Sequence, residues 1–203
     1  MLKTFRESLC AGILITIGGT VFLSCENKTA GAVLFSVALL CICYKGYYLF
    51  TGKIGYIVER HKKQDFLNLA VGLFGNLIAT FLLGMLLRTV LPNIGERAAE
   101  MCSAKLAQFP LYSFIRGFFC GILMYLAVSI YKEKNSVLGV LFCVPVFILC
   151  GFEHSIADMF YFGTSGIFDT KIIFFMALIV AGNTLGAMVL PLLKGVHTNE
   201  KQG

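Results

Sequence analysis

Four ionisable residues lie within long apolar stretches of this chain: Lys45, Glu153, His154 and Asp158. An ionisable group in an apolar stretch is costly, so each of them is a candidate functional residue. His154 is the foremost, because the other two histidines lie in polar segments. Its imidazole changes charge near neutral pH, and in a dry passage it can donate a hydrogen bond to an anion or pass it a proton. The alternative is a structural histidine satisfied by a neighbouring carbonyl.

The neighbours of His154 suggest different roles. Glu153 is predicted to be structural, capping free backbone N–H groups at a helix break rather than meeting a substrate. Adjacent residues on a helix point about 100° apart, which argues against an enzyme that uses Glu153 and His154 as acid and base. No HExxH or nucleophile motif accompanies them. Asp158, one turn further on, is expected to pair with a base or face a vestibule. Lys45 either attracts anions or reaches the membrane interface.

The composition indicates a membrane protein. Hydrophobic residues make up 58% of the chain and charged residues 14%, whereas soluble chains are about 45–50% apolar. The net charge of +6 is typical of topology-determining loops and contact with anionic lipid, and no basic face interleaved with aromatics indicates nucleic-acid binding. The eight cysteines lie mostly in apolar runs without a CxxC pair, so they are interpreted as reduced packing residues. Neither a metal site nor a cofactor is predicted.

Six segments have the roughly 20 mainly apolar residues that a transmembrane helix needs. They lie near residues 8–24, 30–52, 67–88, 112–131, 136–163 and 171–193, in one transmembrane domain over 1–203. Six crossings place both termini on one side. Ten basic residues fall there: Lys3, Arg6, Lys53, Arg60, Lys62, Lys63, Lys132, Lys134, Lys194 and Lys201. Five fall on the other side: Lys28, Arg88, Arg97, Lys105 and Lys171. The positive-inside rule then predicts cytoplasmic termini.

The second and fifth segments contain glycine and polar residues at mid-membrane, in residues 44–52 and 151–155. Backbone that is not helical at that depth is tolerated only where protein or a cavity covers it. Interrupted helices in corresponding positions of two halves indicate a transport site. The two segments are therefore predicted to be broken around a passage.

The two halves of the chain correspond in a glycine–asparagine pair. Gly75 precedes Asn76 in the third segment, and Gly182 precedes Asn183 in the sixth. Gly12 lies 63 residues before Gly75, and a matching glycine lies 65 residues before Gly182. Three crossings per half invert the second copy relative to the first. The chain is therefore predicted to contain two inverted three-helix repeats, at about 1–110 and 111–203.

The run Gly151-Phe152-Glu153-His154-Ser155-Ile156-Ala157-Asp158-Met159-Phe160 resembles the fifth-helix signature of the formate/nitrite transporter family, which includes hydrosulfide channels. Residues 49–52, Leu-Phe-Thr-Gly, resemble its second-helix Ω-loop, and the two Gly-Asn pairs are similar to its third- and sixth-helix signatures. The resemblance covers essentially all six segments. It implies a homopentamer of aquaporin-like protomers in a bacterial cytoplasmic (inner) membrane, each protomer with its own pore.

The resemblance also implies roles for particular residues. His154 corresponds to the central pore histidine, Thr51 to its hydrogen-bonding partner on the Ω-loop, and Asn183 to the asparagine beside that histidine. The cytoplasmic constriction corresponds to Phe35, Leu39 and Phe50, and the periplasmic one to Phe147. The chain departs from the family pattern at positions that bear on gating and substrate preference: Tyr47-Tyr48 and Lys53 around the Ω-loop, Gly121 in the fourth segment, and Asp158, where members have asparagine.

These features together predict a channel or transporter for small monovalent weak-acid anions: formate, nitrite or hydrosulfide. Desolvation disfavours the charged form of a weak acid, so an anion can be neutralised near His154 and cross coupled to a proton. The alternative is a neutral-solute or water channel on the same architecture, although the paired Asn-Pro-Ala motifs of that class are missing. A purely structural membrane protein would leave the broken helices and His154 unexplained. No enzymatic activity is expected.

Overall fold

The computed structural model describes residues 1–195, and all regular structure in that range is helical. Residues 196–203, which include Lys201 and the end of the predicted second repeat, lie outside the described residues. The elements in chain order are α1 Leu2–Ser24, α2 Lys28–Lys45, α3 Phe50–Lys53, a 3₁₀ turn Ile54–Val58, α4 Lys63–Val90, α5 Pro92–Leu106, α6 Pro110–Lys134, α7 Leu138–Leu149, α8 Ser155–Ser165 and α9 Lys171–Lys194.

Five of these helices, α1, α2, α4, α6 and α9, are long and apolar enough to cross a membrane, judged by length and composition. The fifth predicted segment is divided into the short apolar helix α7 and the helix α8. The second is divided into α2, α3 and the 3₁₀ turn. The prediction of an all-α membrane protein whose second and fifth segments are interrupted is therefore confirmed. The predicted start of the first segment was too late, since α1 begins at Leu2.

The two interruptions begin in the same way. Gly46 follows α2 and Gly151 lies just beyond α7, each with a φ of 68°. The N–H of the next residue donates to the carbonyl five residues earlier, at 3.1 Å in the first break and 2.9 Å in the second. This is the Schellman arrangement, which requires a left-handed residue that glycine adopts without steric cost. Both breaks are therefore encoded locally by a glycine.

The packing of the helices is reciprocal between the two halves. In the first half α1 packs on α2 and α4, and in the second half α6 packs on α7 and α9. The distal part of each broken segment crosses to the other half, because α8 packs on α4 and the 3₁₀ turn packs on α9. This reciprocal packing is the pattern expected of two inverted three-helix repeats. Close approach of α6 and α9 depends on glycine, since a Cβ at Gly121 or Gly186 would collide with the backbone of the opposite helix.

The polar segment between the third and fourth predicted spans forms a helix, α5, where the sequence predicts a connecting loop. It begins at Pro92, a residue suited to the first helical position. Its buried residues Ile94, Ala98, Cys102 and Lys105 recur every three or four positions, so they share one face. Helix α5 packs on α8. This periodicity in the sequence indicates the helix, and it places Lys105 on the face that packs against the protein interior.

Candidate functional site

Asn76 holds the first interruption in place. It is fully buried on α4. Its side-chain oxygen accepts a hydrogen bond from the Phe50 N–H at 2.8 Å. Its amide donates to the Ser8 carbonyl at 2.8 Å and the Tyr48 carbonyl at 2.9 Å. One side chain therefore satisfies the backbone around the start of α3 and ties it to α1.

Asn183 on α9 does the same at the second interruption. Its oxygen accepts from the Ser155 N–H at 2.9 Å, and its amide donates to the carbonyls of Gly117 and Glu153, both at 2.8 Å. The bonding groups match those of Asn76 one for one, as the inverted repeat requires. The resemblance implied a pore position for Asn183 beside the histidine. Its amide lies next to the break but is occupied by backbone groups, and the residue is fully buried.

His154 is the N-cap of α8. Its Nδ1 accepts a hydrogen bond from the Ala157 N–H at 3.1 Å, so Nδ1 carries no proton. The proton of the neutral ring is therefore on Nε2, which lies 2.8 Å from the Thr51 Oγ1 and donates to it. Protonation of Nδ1 would set one N–H donor against another. The local backbone thus favours a neutral ring with a defined tautomer.

Thr51 is buried on α3 and meets His154 across the two interrupted segments. Because its oxygen accepts from Nε2, its hydroxyl hydrogen is free to donate elsewhere. Within residues 1–195 that hydrogen has no other acceptor side chain or carbonyl. The pair therefore presents one unused hydrogen-bond donor.

Aromatic rings line up beside this pair. Phe147 stacks on the His154 ring, with centroids 5.6 Å apart and planes 23° apart. Phe35 meets Phe147 edge-on, with centroids 6.3 Å apart. Leu39 and Phe50, the other predicted constriction residues, are also buried. Phe50 contributes a backbone N–H to Asn76.

Two cavities approach the aromatic rings from opposite ends of α6. The α5-side cavity, about 220 Å³, is lined by Arg116 near the start of α6 and by Phe147 and His154. The α3-side cavity, about 80 Å³, is lined by Leu39 and by Val128 and other residues near the end of α6. Twelve residues separate Arg116 from Val128, which is about 18 Å along a helix axis. Leu39 lines the α3-side cavity, Phe147 lines the α5-side cavity, and Phe35 is buried against Phe147.

The α5-side cavity contains a buried ion cluster. The Lys105 Nζ contacts a carboxylate oxygen of Glu153 and lies 3.0 Å from the Asp158 Oδ1. The exposed fractions are 9% for Lys105, 2% for Glu153 and 1% for Asp158. Burial alone would lower the pKa of Lys105, but the Asp158 and Glu153 carboxylates outweigh it and hold that pKa above its ordinary value. The two carboxylates thus favour the charged form of Lys105.

This cluster corrects one expectation and answers another. Glu153 does not cap the backbone at the break, because its carboxylate is engaged by Lys105 and His154 provides the cap. Asp158 both pairs with a base and faces a cavity. The sequence predicts Lys105 only as a loop charge, whereas the structure places it on the buried face of α5. Lys45 is the exposed last residue of α2 and lines neither cavity.

Inverted halves, interrupted helices and cavities facing opposite ends define the class of membrane transport proteins. The particular family follows from comparison. A family model described as formate/nitrite transporter matches residues 1–194, and the chain belongs to this family.

Two relatives are informative. The chain is 29% identical over 185 residues to the uncharacterized transporter YwcJ of Bacillus subtilis (strain 168), covering 81% of this chain and 72% of that protein. It is 25% identical over 187 residues to the formate channel FocA of Escherichia coli (strain K12), covering 78% of this chain and 65% of the channel. This chain thus spans less than two thirds of the length of FocA. Neither relative is named as an enzyme.

Solved structures share the fold. A structure described as a pentameric formate channel with formate bound has a TM-score of 0.79 and 24% identity, over 95% of both chains. One described as an FNT family ion channel has a TM-score of 0.79 and 21% identity, over 95% of this chain and 87% of that one.

Proposed function

We propose that this protein conducts small monovalent weak-acid anions, such as formate, nitrite or hydrosulfide, and that they cross the apolar region as neutral conjugate acids. The observation that carries the proposal is the pair of cavities, one lined by Leu39 and the other by Phe147 and His154, with Thr51 hydrogen-bonded to His154. Moving a bare anion through such a region costs several kcal/mol or more. A small neutral acid avoids most of that cost, so anion and proton move together.

His154 acts in this proposal as a neutral positioning residue rather than as a proton donor. Its Nε2–H holds the Thr51 oxygen, which turns the threonine hydroxyl hydrogen towards an incoming anion oxygen. The cap that His154 provides for α8 supports this role, because a charged ring would lose the Ala157 N–H bond. One oriented donor slows an anion enough to be protonated but does not hold it tightly.

Assembly and orientation extend this proposal. The pentameric state of a structural neighbour supports a homopentamer with one passage per protomer. The charge distribution of the loops supports a bacterial inner-membrane protein with cytoplasmic termini. The α3-side cavity would then open to the cytoplasm and the α5-side cavity to the periplasm.

Liposome flux tests the proposal. Proteoliposomes should take up formate, nitrite or hydrosulfide faster than empty liposomes, with rates that rise as the external pH falls, because more of the permeating acid forms. Stopped-flow measurement of internal pH with a trapped dye follows the co-transported proton. If none of the three anions crosses faster than in empty liposomes, the proposal fails. Osmotic water or glycerol flux that is indifferent to pH would indicate the neutral-solute channel instead.

The His154→Asn variant provides a sharp comparison in the same assay. Asparagine is a good N-cap, so α8 keeps a side-chain acceptor for the Ala157 N–H. The stacked ring and the Nε2–H are lost. We therefore expect this variant to assemble as a pentamer and to show altered flux. Gel filtration and flux measured on the same preparation distinguish this result from misfolding.

Thr51→Val should abolish most of the flux while the fold is retained. Valine has the shape of threonine without the hydroxyl, so the anion loses its donor and the His154 Nε2–H loses its acceptor. A hydrogen bond to a charged group is worth about 1.5–3 kcal/mol, so its loss corresponds to a rate reduction of roughly 10- to 150-fold. The Thr51→Ser control keeps the hydroxyl and should conduct close to wild type. Equal flux through the valine and serine variants would contradict a role for this hydroxyl.

A further inference from the structure

The ion cluster in the α5-side cavity has an unbalanced charge. It combines one cation, Lys105, with two carboxyl groups, Glu153 and Asp158. These are the only buried carboxyl groups among residues 1–195. The second oxygen of Asp158, Oδ2, is buried without a hydrogen-bond partner in that range. If both carboxyls were ionised, the cluster would hold one uncompensated negative charge out of water, which proteins avoid by neutralising one group.

The surroundings do not supply a second paired cation. Arg116 lines the same cavity but is partly exposed and forms no ion pair with either carboxylate. The other titratable groups around the pair are uncharged and supply no second cation. They are Cys102 on α5, Cys120 on α6, Tyr161 on α8 and His154 at the break. From α1 and α4, the uncharged residues Gly19, Phe22, Phe81 and Gly84 contact α8 or lie close against it. Arg88 of α4 lies against Gly166 at the other end of α8 and forms no ion pair with Glu153 or Asp158 within residues 1–195.

We propose that Glu153 and Asp158 share one proton beside Lys105, and that this pair is the donor from which the crossing anion receives its proton. The inference rests on the proposed function, since a donor matters only if a weak-acid anion enters the cavity. Glu153, Asp158 and His154 line one cavity, so an anion held near the Thr51–His154 pair is beside the carboxyls.

The transfer step is balanced without any other reactant. The O–H bond of the protonated carboxyl breaks as an O–H bond forms on formate or nitrite, or an S–H bond on hydrosulfide. No electrons are exchanged. The pair is left doubly ionised next to Lys105, and its negative charge then disfavours a second anion. A hydronium ion from the solution at the α5-side cavity then protonates the pair, which releases water and restores the starting state.

Infrared difference spectroscopy of the full-length protein in liposomes tests directly whether the Glu153–Asp158 pair carries a proton. At neutral pH the wild type should show the carbonyl stretch of a protonated carboxyl group. Asp158→Asn and Glu153→Gln should each lose that band, because the remaining carboxylate then pairs one-to-one with Lys105. The matched control is Asp169→Asn, which makes the same change at an exposed carboxylate before α9 and should keep the band.

Flux on the same preparations tests the transfer. At neutral pH, Asp158→Asn should conduct formate roughly tenfold or more slowly than Asp169→Asn, as expected for loss of a positioned proton donor. At acid pH, where the anion is protonated in bulk water, the two variants should converge. Both variants are nearly isosteric with the wild type, and gel filtration confirms assembly.

The outcomes separate the two proposals. If the wild type conducts weak acids but shows no protonated-carboxyl band, or if Asp158→Asn keeps the band and the pH profile of Asp169→Asn, the proton-sharing pair is overturned and the proposed function stands. If the wild type conducts no weak acid, the proposed function fails and the transfer step fails with it.

Discussion

Replacing Asn183 by leucine is expected to lower the thermal stability of the purified protein severely, with comparable loss for Asn76→Leu. Leucine matches asparagine in size but leaves the Ser155 N–H and the Glu153 carbonyl without partners, while the Gly117 carbonyl keeps its bond within α6. Each unsatisfied buried group costs about 1–3 kcal/mol, so the total loss is about 2–6 kcal/mol. Much of this loss of stability affects the second interruption, where the backbone groups have no intrahelical hydrogen bonds as an alternative. Melting temperatures in detergent, followed by intrinsic fluorescence or light scattering, measure the effect.

A neighbouring substitution makes the comparison specific. Thr184 follows Asn183 on α9, is only partly buried and makes no side-chain hydrogen bond within the described residues. Thr184→Val should therefore melt close to wild type. If Asn183→Leu and Thr184→Val have the same melting temperature, the asparagine does not stabilise the break. The matching roles of Asn183 and Asn76 would then have no support from stability.

Lys105→Met is expected to destabilise the protein by about 3–5 kcal/mol at neutral and alkaline pH, the usual cost of removing one partner from a buried ion pair. Two buried carboxyl groups would be left without a cation. Because protonation removes their charge, the loss should shrink as the pH falls. Melting temperatures of the variant and the wild type across the pH range measure this difference. Lys171→Met removes an exposed cation from the start of α9 and should show neither effect.

A combined variant distinguishes loss of charge balance from loss of packing. Lys105→Met together with Glu153→Gln and Asp158→Asn removes the cation and both carboxyl groups at nearly constant volume. It should recover most of the stability that Lys105→Met loses, since buried ion clusters are often replaceable by neutral groups. A triple variant as unstable as the single one would mean that the lysine acts by packing on α8.

Several parts of the fold were accessible from local sequence. The long apolar helices follow from hydrophobicity over about 20 contiguous residues, and their predicted positions overlap the observed helices, although α1 begins six residues earlier than predicted. The breaks follow from Gly46 and Gly151, whose left-handed backbone ends a helix wherever it occurs. The partnership of His154 with Thr51 came from resemblance to the family, because nothing in the spacing of residues 103 apart indicates a contact.

Other parts depend on how distant helices pack. Lys105 reaches Glu153 and Asp158 because α5 folds back onto α8, so a residue that reads as a loop charge becomes the centre of a buried cluster. Asn183 lies at the break, yet its amide groups are taken by the backbone of two other segments. The neutral tautomer of His154 is set by the Ala157 N–H and the approach of Thr51.

Composition, apolar length and glycine position thus determined that this chain is a membrane protein with two interrupted segments, because those properties act within a single helix. Only the tertiary structure decided which polar groups meet at the interruptions, because a buried hydrogen bond or ion pair depends on the relative position of two elements. His154 was found from its place in an apolar stretch. That it is held neutral beside an ion cluster with one cation and two carboxyls was determined by packing.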